Sequence, residues 1–122
     1  MQKQKILVVD DEVNQALLYE QELTDEGYEI HLANSGQEAL KLAKTNTYDL
    51  VVLDIGMPDM DGLETLGRML SMDNKLPVIL NTAYPSYKDN FMSWAADAYV
   101  VKSSDLSELK TKIKESLNKK RT

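Results

Sequence analysis

Three aspartates, a threonine and a lysine in this chain stand at the ends of short apolar runs, and together they suit one kind of chemistry. Asp10 and Asp11 follow "ILVV" (6–9), and Asp54 follows "LVVL" (50–53). Asn81 and Thr82 follow "PVIL" (77–80), and Lys102 follows "AYVV" (98–101). Carboxylates held side by side repel, so gathering them costs free energy unless a cation or hydrogen bonds offset it. Brought together, Asp10, Asp11 and Asp54 make a hard-oxygen site suited to Mg²⁺, which needs few protein oxygens and keeps several waters. A divalent ion there offsets the repulsion and draws in a phosphoryl group. A carboxylate such as Asp54 can act as a nucleophile and form an acyl phosphate. Lysine and metal then stabilise the charge on the transferring group, and Thr82 can offer its hydroxyl to a phosphoryl oxygen.

Such a meeting needs the right scaffold. The runs "ILVV", "LVVL", "PVIL" and "AYVV" are continuous rather than alternating, as strands covered on both faces should be. "EIHLA" (29–33) alternates more and suits an edge strand. Segments of helical spacing lie between them. Val13, Ala16 and Leu17 begin one, with Gly27 as its stop. Ser35 followed by Glu38 is the capping-box signature of a second. Leu63, Leu66 and Leu70 mark a third, Tyr87, Phe91 and Trp94 a fourth, and Leu106, Leu109, Ile113 and Leu117 a fifth, capped by Ser104 or Asp105. Five strands alternating with five helices predict a doubly wound α/β domain with a mainly parallel sheet. Ligands of such sheets bind beyond the carboxyl ends of the strands, so the acids, Thr82 and Lys102 should share one rim. Singly, each residue has an ordinary explanation: an Asp pair caps a helix, Asp54 is a loop acid, Lys102 a surface charge. Their coincidence at four strand ends carries the functional reading.

Size and charge narrow the field. The 122 residues fit one domain, 1–122, with no effector domain expected, and 43% hydrophobic residues with three prolines can fill a core. There is no cysteine, so disulfides and thiolate metal sites are excluded; a reducing cytoplasm fits. After the basic "MQKQK" the apolar run is too short for a signal peptide or membrane span. A net charge of −6 argues against sequence-independent nucleic-acid binding. The cations crowded at 110–121 read as a solvated helix end, with Glu108–Lys112 and Glu115–Lys119 at i, i+4 spacing. His31 reads as structural.

The segments "ILVVDDE", "YDLVVLDIGMPDMDG", "PVILNTA" and "DAYVVK", in this order and spacing, resemble the receiver domain of two-component response regulators over nearly the whole chain. The resemblance implies a flavodoxin-like three-layer sandwich with strand order 2-1-3-4-5. It implies Asp54 as phosphoacceptor, Asp11 as a direct Mg²⁺ ligand, Asp10 acting chiefly through water, and the Gly56 carbonyl as a further ligand. It implies Thr82 and Tyr99 as the switch pair and Lys102 as the phosphoryl-contacting lysine. The donor would be a histidine kinase or histidine phosphotransfer protein, and the chain a cytoplasmic phosphoacceptor rather than an enzyme in the ordinary sense. Gly56 and Tyr84 occupy positions that in the family help set phosphoryl lifetime.

One departure is visible. The family usually has proline after the lysine, often with a cis peptide, whereas this chain has Ser103. A cis bond without proline costs about 3–4 kcal/mol, so a trans Lys102–Ser103 peptide is expected.

In the switch so implied, phosphorylation of Asp54 draws Thr82 inward, Tyr99 fills the vacated space, and the surface around the fourth helix, fifth strand and fifth helix changes for a downstream protein. Phe91 and Trp94 read as packing on the sheet; any of Tyr84, Tyr87 and Tyr99 left exposed would mark a partner surface. Three other readings fare worse. An aspartate-nucleophile phosphatase should carry a second aspartate at position 56, which is glycine. A flavin-binding relative should have a Ser/Thr/Gly-rich loop where "DDEVNQ" stands. A pseudo-receiver that binds partners without phosphorylation would not need the complete acid, hydroxyl and lysine set.

Overall fold

Five parallel strands, β1 (Lys5–Val9), β2 (Glu29–Ala33), β3 (Leu50–Leu53), β4 (Val78–Thr82) and β5 (Ala98–Val101), form one sheet in the order β2-β1-β3-β4-β5. The structure, a computed structural model, describes residues 3–54, 62–83 and 96–120. Among these it has four helices: α1 (Val13–Asp25), α2 (Gly36–Thr45), α3 (Gly62–Met72) and α4 (Ser107–Lys120). The helix expected on Tyr87, Phe91 and Trp94 falls outside the described residues, as do Gly56 and Tyr84, so the fifth helix of the sequence reading is α4 here.

The continuous apolar runs are explained by two cores. Successive strand residues point to opposite faces, so Leu7, Val9, Val51, Leu53, Val78 and Leu80 meet Leu40, Leu63, Leu66 and Met69 of α2 and α3. Ile6, Val8, Leu50, Val52, Ile79 and Val100 meet Tyr19 and Leu23 of α1 and Leu109, Ile113 and Leu117 of α4. β2 is the edge strand that its alternation predicts, with only Ala33 buried.

Local signals set the helix ends. Gly27, at φ 101°, ends α1; its N–H bonds the Thr24 carbonyl and that of Tyr28 bonds the Leu23 carbonyl, a Schellman motif. Ser35 Oγ accepts the Glu38 N–H at 3.1 Å, while Glu38 Oε1 accepts from Asn34 N at 2.8 Å rather than from the cap residue itself. Replacing Ser35 with alanine is expected to cost about 1 kcal/mol, read as a lower urea midpoint at unchanged slope.

Two expectations are corrected and one is met. Val13 and Leu17 do not form the inner face of α1; they are exposed, and Ala16, Tyr19 and Leu23 are buried instead. The last helix starts at Ser107, and Asp105, one of the two caps expected, accepts its N–H on Oδ1 at 2.9 Å. Lys112 turns to Glu115 (3.6 Å) rather than Glu108, and Lys110 reaches across to Glu22 (2.9 Å) and Glu26 (3.7 Å) of α1, a contact no spacing rule within one helix anticipates.

Candidate functional site

Strand register assembles the site. Val9 pairs with Leu53, and Leu53 with Leu80, so Asp10, Asp54 and Asn81 continue one rung across β1, β3 and β4. By alternation with Val8, Val52 and Ile79 this rung faces α1 and α4. Asp10 and Asp54 stand just past their strands, tied down by Asp10 N–Ala33 O and Asp54 N–Val9 O bonds of 3.0 Å each. β4 runs on through Asn81 and Thr82, which therefore lie inside the sheet rather than after it, both buried.

The three acids converge as the sequence suggests. One carboxylate oxygen each from Asp10, Asp11 and Asp54 lie within 4.8 Å of one another. Asp10 and Asp54 are buried and Asp11 is exposed, so the cluster opens to solvent on one side. Lys102 completes it: its Nζ is 2.8 Å from Asp10 Oδ2 and 3.2 Å from Asp54 Oδ2. The Asp54 contact is a hydrogen bond. The closer one is an ion contact; among the described residues no further side chain or backbone group bonds buried Asp10 Oδ2, while Oδ1 accepts the Glu12 N–H at 2.9 Å.

The electrostatics follow. Burial pushes the Asp10 carboxyl above its ordinary value; Lys102 and the Glu12 N–H pull it down without winning, and Asp54 adds to the rise. Burial alone would lower Lys102, but Asp10 and Asp54 outweigh it and hold the ammonium up to about 12. A buried carboxylate oxygen left without a hydrogen bond, beside two more carboxylates and open water, fits a small hard cation such as Mg²⁺.

With the geometry in hand, comparison with known proteins is decisive. The family model for the response regulator receiver domain matches residues 6–114. The chain belongs to this family. Among relatives of this receiver domain are the response regulator ArlR of Staphylococcus saprophyticus, 37% identical over 117 residues, 94% of this chain and 53% of that protein. A transcriptional regulatory protein of Bacillus subtilis, YkoG, is 37% identical over 124 residues, 100% of this chain and 54% of that protein. The receiver domain thus spans about half the length of these curated relatives. Its fold matches the Thermotoga maritima response regulator TrrA, solved in complex with Mg²⁺–BeF, at a TM-score of 0.90 and 50% identity over 93% of this chain and 98% of that one. TrrA in complex with the histidine kinase ThkA matches at 0.88, with the same identity and coverage.

Other predicted residues of the receiver domain sit nearby. Thr82 is wholly buried, and its carbonyl accepts the Lys102 N–H at 2.7 Å. By alternation its side chain is on the sheet face opposite Asn81. Tyr99, half-buried and paired in register with Leu80, shares that face with Thr82, two pleats away. No described peptide is cis, so the Lys102–Ser103 bond is trans as expected. His31 is structural: its Nδ1 is 2.8 Å from the Tyr48 hydroxyl and its Nε2 2.9 Å from Glu29 Oε2. No described helix is long and apolar enough to cross a membrane. Sequence reasoning passed over Tyr19, whose buried hydroxyl lies near the site; only its placement three residues after Ala16 signals an inward position.

Proposed function

We propose that this receiver domain is a phosphorylation-dependent switch of a two-component or phosphorelay system, with Asp54 as its phosphoacceptor. The observation that supports the reading best is the joining of Asp10, Asp11, Asp54 and Lys102, from three different strand ends, into one partly open cluster. Asp11 and Asp54 would hold Mg²⁺ directly, with Asp10 acting chiefly through water and the Gly56 carbonyl, which lies outside the described residues, as a further ligand. When bound, the ion neutralises clustered carboxylate charge and polarises the phosphoryl group.

The chain's own residues do the rest. An Asp54 oxygen attacks the phosphorus of a histidine kinase or phosphotransfer donor; the new O–P bond forms as the donor's N–P bond breaks, and the imidazole leaves with the electron pair. Lys102 moves its ammonium from the carboxylates to a phosphoryl oxygen, and Thr82 donates its hydroxyl to another. Tyr99, on the same sheet face as Thr82, turns inward behind it. The equilibrium so biased changes, for a downstream protein, the surface around β5, α4 and the fourth helix of the sequence reading, which lies outside the described residues. Moving such a switch from mostly off to mostly on takes about 5 kcal/mol of differential interaction. The domain acts on no separate substrate; it catalyses only its own phosphoryl uptake and loss, in the cytoplasm.

Incubation with Mg²⁺ and acetyl phosphate, read by intact mass, tests this. Wild type is expected to gain one phosphoryl group and Asp54→Ala none. Equal uptake by the variant would remove Asp54 from its role.

A further inference from the structure

Beside the Lys102 cluster lies a buried polar pair that the phosphoryl chemistry above does not use. Tyr19 of α1 is 1% exposed, and its hydroxyl donates to Gln15 Oε1, one turn back, at 2.8 Å. The side-chain amide of Asn81 lies beside the same hydroxyl, close enough to lower its pKa. Burial raises the Tyr19 phenol above its ordinary value, with Asn81 and Lys102 working against the rise, so at neutral pH it is a neutral hydroxyl that donates to Gln15 and has the Asn81 amide beside it. Asn81 is itself buried at the end of the otherwise apolar run Val78, Ile79, Leu80. Polar groups this deep cost free energy unless fully bonded, and an apolar pair would fill the same place at no such cost.

Position singles the pair out. Asn81 shares the rung of Asp10 and Asp54 and faces α1, as Tyr19 faces the sheet. Lys102 continues from Val100, the register partner of Asn81, onto the same face. To reach Asp54 on β3 from β5, its side chain must cross β4, a span of two strand spacings or roughly 10 Å. Asn81 is the β4 residue on that face at the level of Asp54.

We propose that Tyr19 and Asn81 are positioning residues for Lys102: the phenol holds the Asn81 amide, and the amide forms the floor over which the lysine reaches Asp54. This rests on the roles proposed above for Lys102 and Asp54. Lysine's long stem has many rotamers, and a fixed polar floor narrows them to those that deliver the ammonium to the reacting oxygen.

The experiment compares Tyr19→Phe and Asn81→Leu, each alone and combined with Lys102→Ala. Initial rates of phosphoryl uptake from acetyl phosphate at saturating Mg²⁺ are read by intact mass, and Mg²⁺ affinity by calorimetry. Tyr19→Phe keeps the ring and its packing; Asn81→Leu interrupts the same relay from the other side. Each is expected to slow uptake about fivefold, the rate equivalent of one ordinary hydrogen bond, with Mg²⁺ affinity unchanged and no further slowing once Lys102 is alanine. Wild-type rates in both variants, or equal slowing with and without Lys102, would overturn the positioning role alone. No uptake by wild type would overturn the phosphoacceptor reading and this one with it.

Discussion

Replacing Lys102 with alanine is expected to destabilise the metal-free protein by about 2 kcal/mol at neutral pH and to slow phosphoryl uptake about a hundredfold. The stability loss follows from the counter-ion arrangement. Asp10 and Asp54 are buried side by side, and the ammonium within 3.2 Å of both is the cation that answers them among the described residues. Lys102 is raised from 10.5 to about 12, a shift worth about 2 kcal/mol by linkage. For a group whose folded pKa is raised, that stability is fully present below 10.5 and fades as pH rises through 12. The variant should therefore trail wild type across the neutral range and meet it near the alkaline limit. Acid should also narrow the gap, because without Lys102 the Asp10 carboxyl, already raised by burial, takes up a proton more readily in the folded state. Saturating Mg²⁺ should restore most of the stability but little of the rate: a divalent ion replaces the lost charge in the ground state, yet no ammonium follows the transferring group. Urea titrations with and without Mg²⁺, at acid, neutral and alkaline pH, measure the first effect and mass-detected uptake the second. Identical unfolding curves in metal-free buffer would show that Lys102 is not the counter-ion.

That pairing also marks the boundary of what the sequence discloses. Parallel strands place all their carboxyl ends on one edge, so residues following apolar runs can be assigned to a shared rim by topology alone; Asp10, Asp11, Asp54 and Lys102 were legible for that reason. The period-2 alternation behind two cores was legible in the continuous strands, and the edge position of β2 in its polar alternation. What was not legible depends on three-dimensional detail that spacing leaves free. Both Val13 and Leu17 fit a helical stripe, and only the docking angle of α1 on the sheet decides that Tyr19 and Leu23 go inside. Asn81 reads as a residue after a strand because Pro77 opens a four-residue apolar run, yet the strand is Val78–Thr82, with Pro77 contributing only its carbonyl, to Val51 N at 3.0 Å. Lys110 has acids near it in sequence but finds Glu22 and Glu26 on another helix, a choice made by tertiary packing. The unequal burial of Asp10 and Asp11, adjacent in sequence, comes from the pleat turning one inward and the other to water.

This inequality makes Asp10→Asn the variant with opposed effects. Burial is the largest influence on Asp10 and raises its pKa against the pull of Lys102 and the Glu12 N–H, so the ionised form costs the folded state more than the unfolded one. A raised carboxyl gives its stability only below 3.8, and that stability is lost as pH rises through the folded value. At neutral pH the group is therefore a liability to the metal-free fold. Asparagine keeps an oxygen for the Glu12 N–H and removes the charge, and Lys102 still has Asp54. Metal-free Asp10→Asn is expected to be more stable than wild type by about 1 kcal/mol at pH 7, the low end of what removing a buried ion brings, with the advantage vanishing in acid as wild-type Asp10 protonates. Mg²⁺ affinity should move the other way, falling about tenfold to hundredfold, as when a residue that orients a metal's waters is lost. Wild type should gain about 2.7 kcal/mol at a Mg²⁺ concentration a hundred times its dissociation constant, and the variant far less at the same concentration. The two denaturation curves should therefore cross as Mg²⁺ is added, the variant leading without metal and wild type leading with it. A variant less stable than wild type in the absence of metal would mean that the contact with Lys102 outweighs the burial of Asp10. An unchanged response to Mg²⁺ would mean that the ion binds elsewhere. Crossing curves would show that the acid is kept at the expense of the empty fold because the loaded site needs its charge.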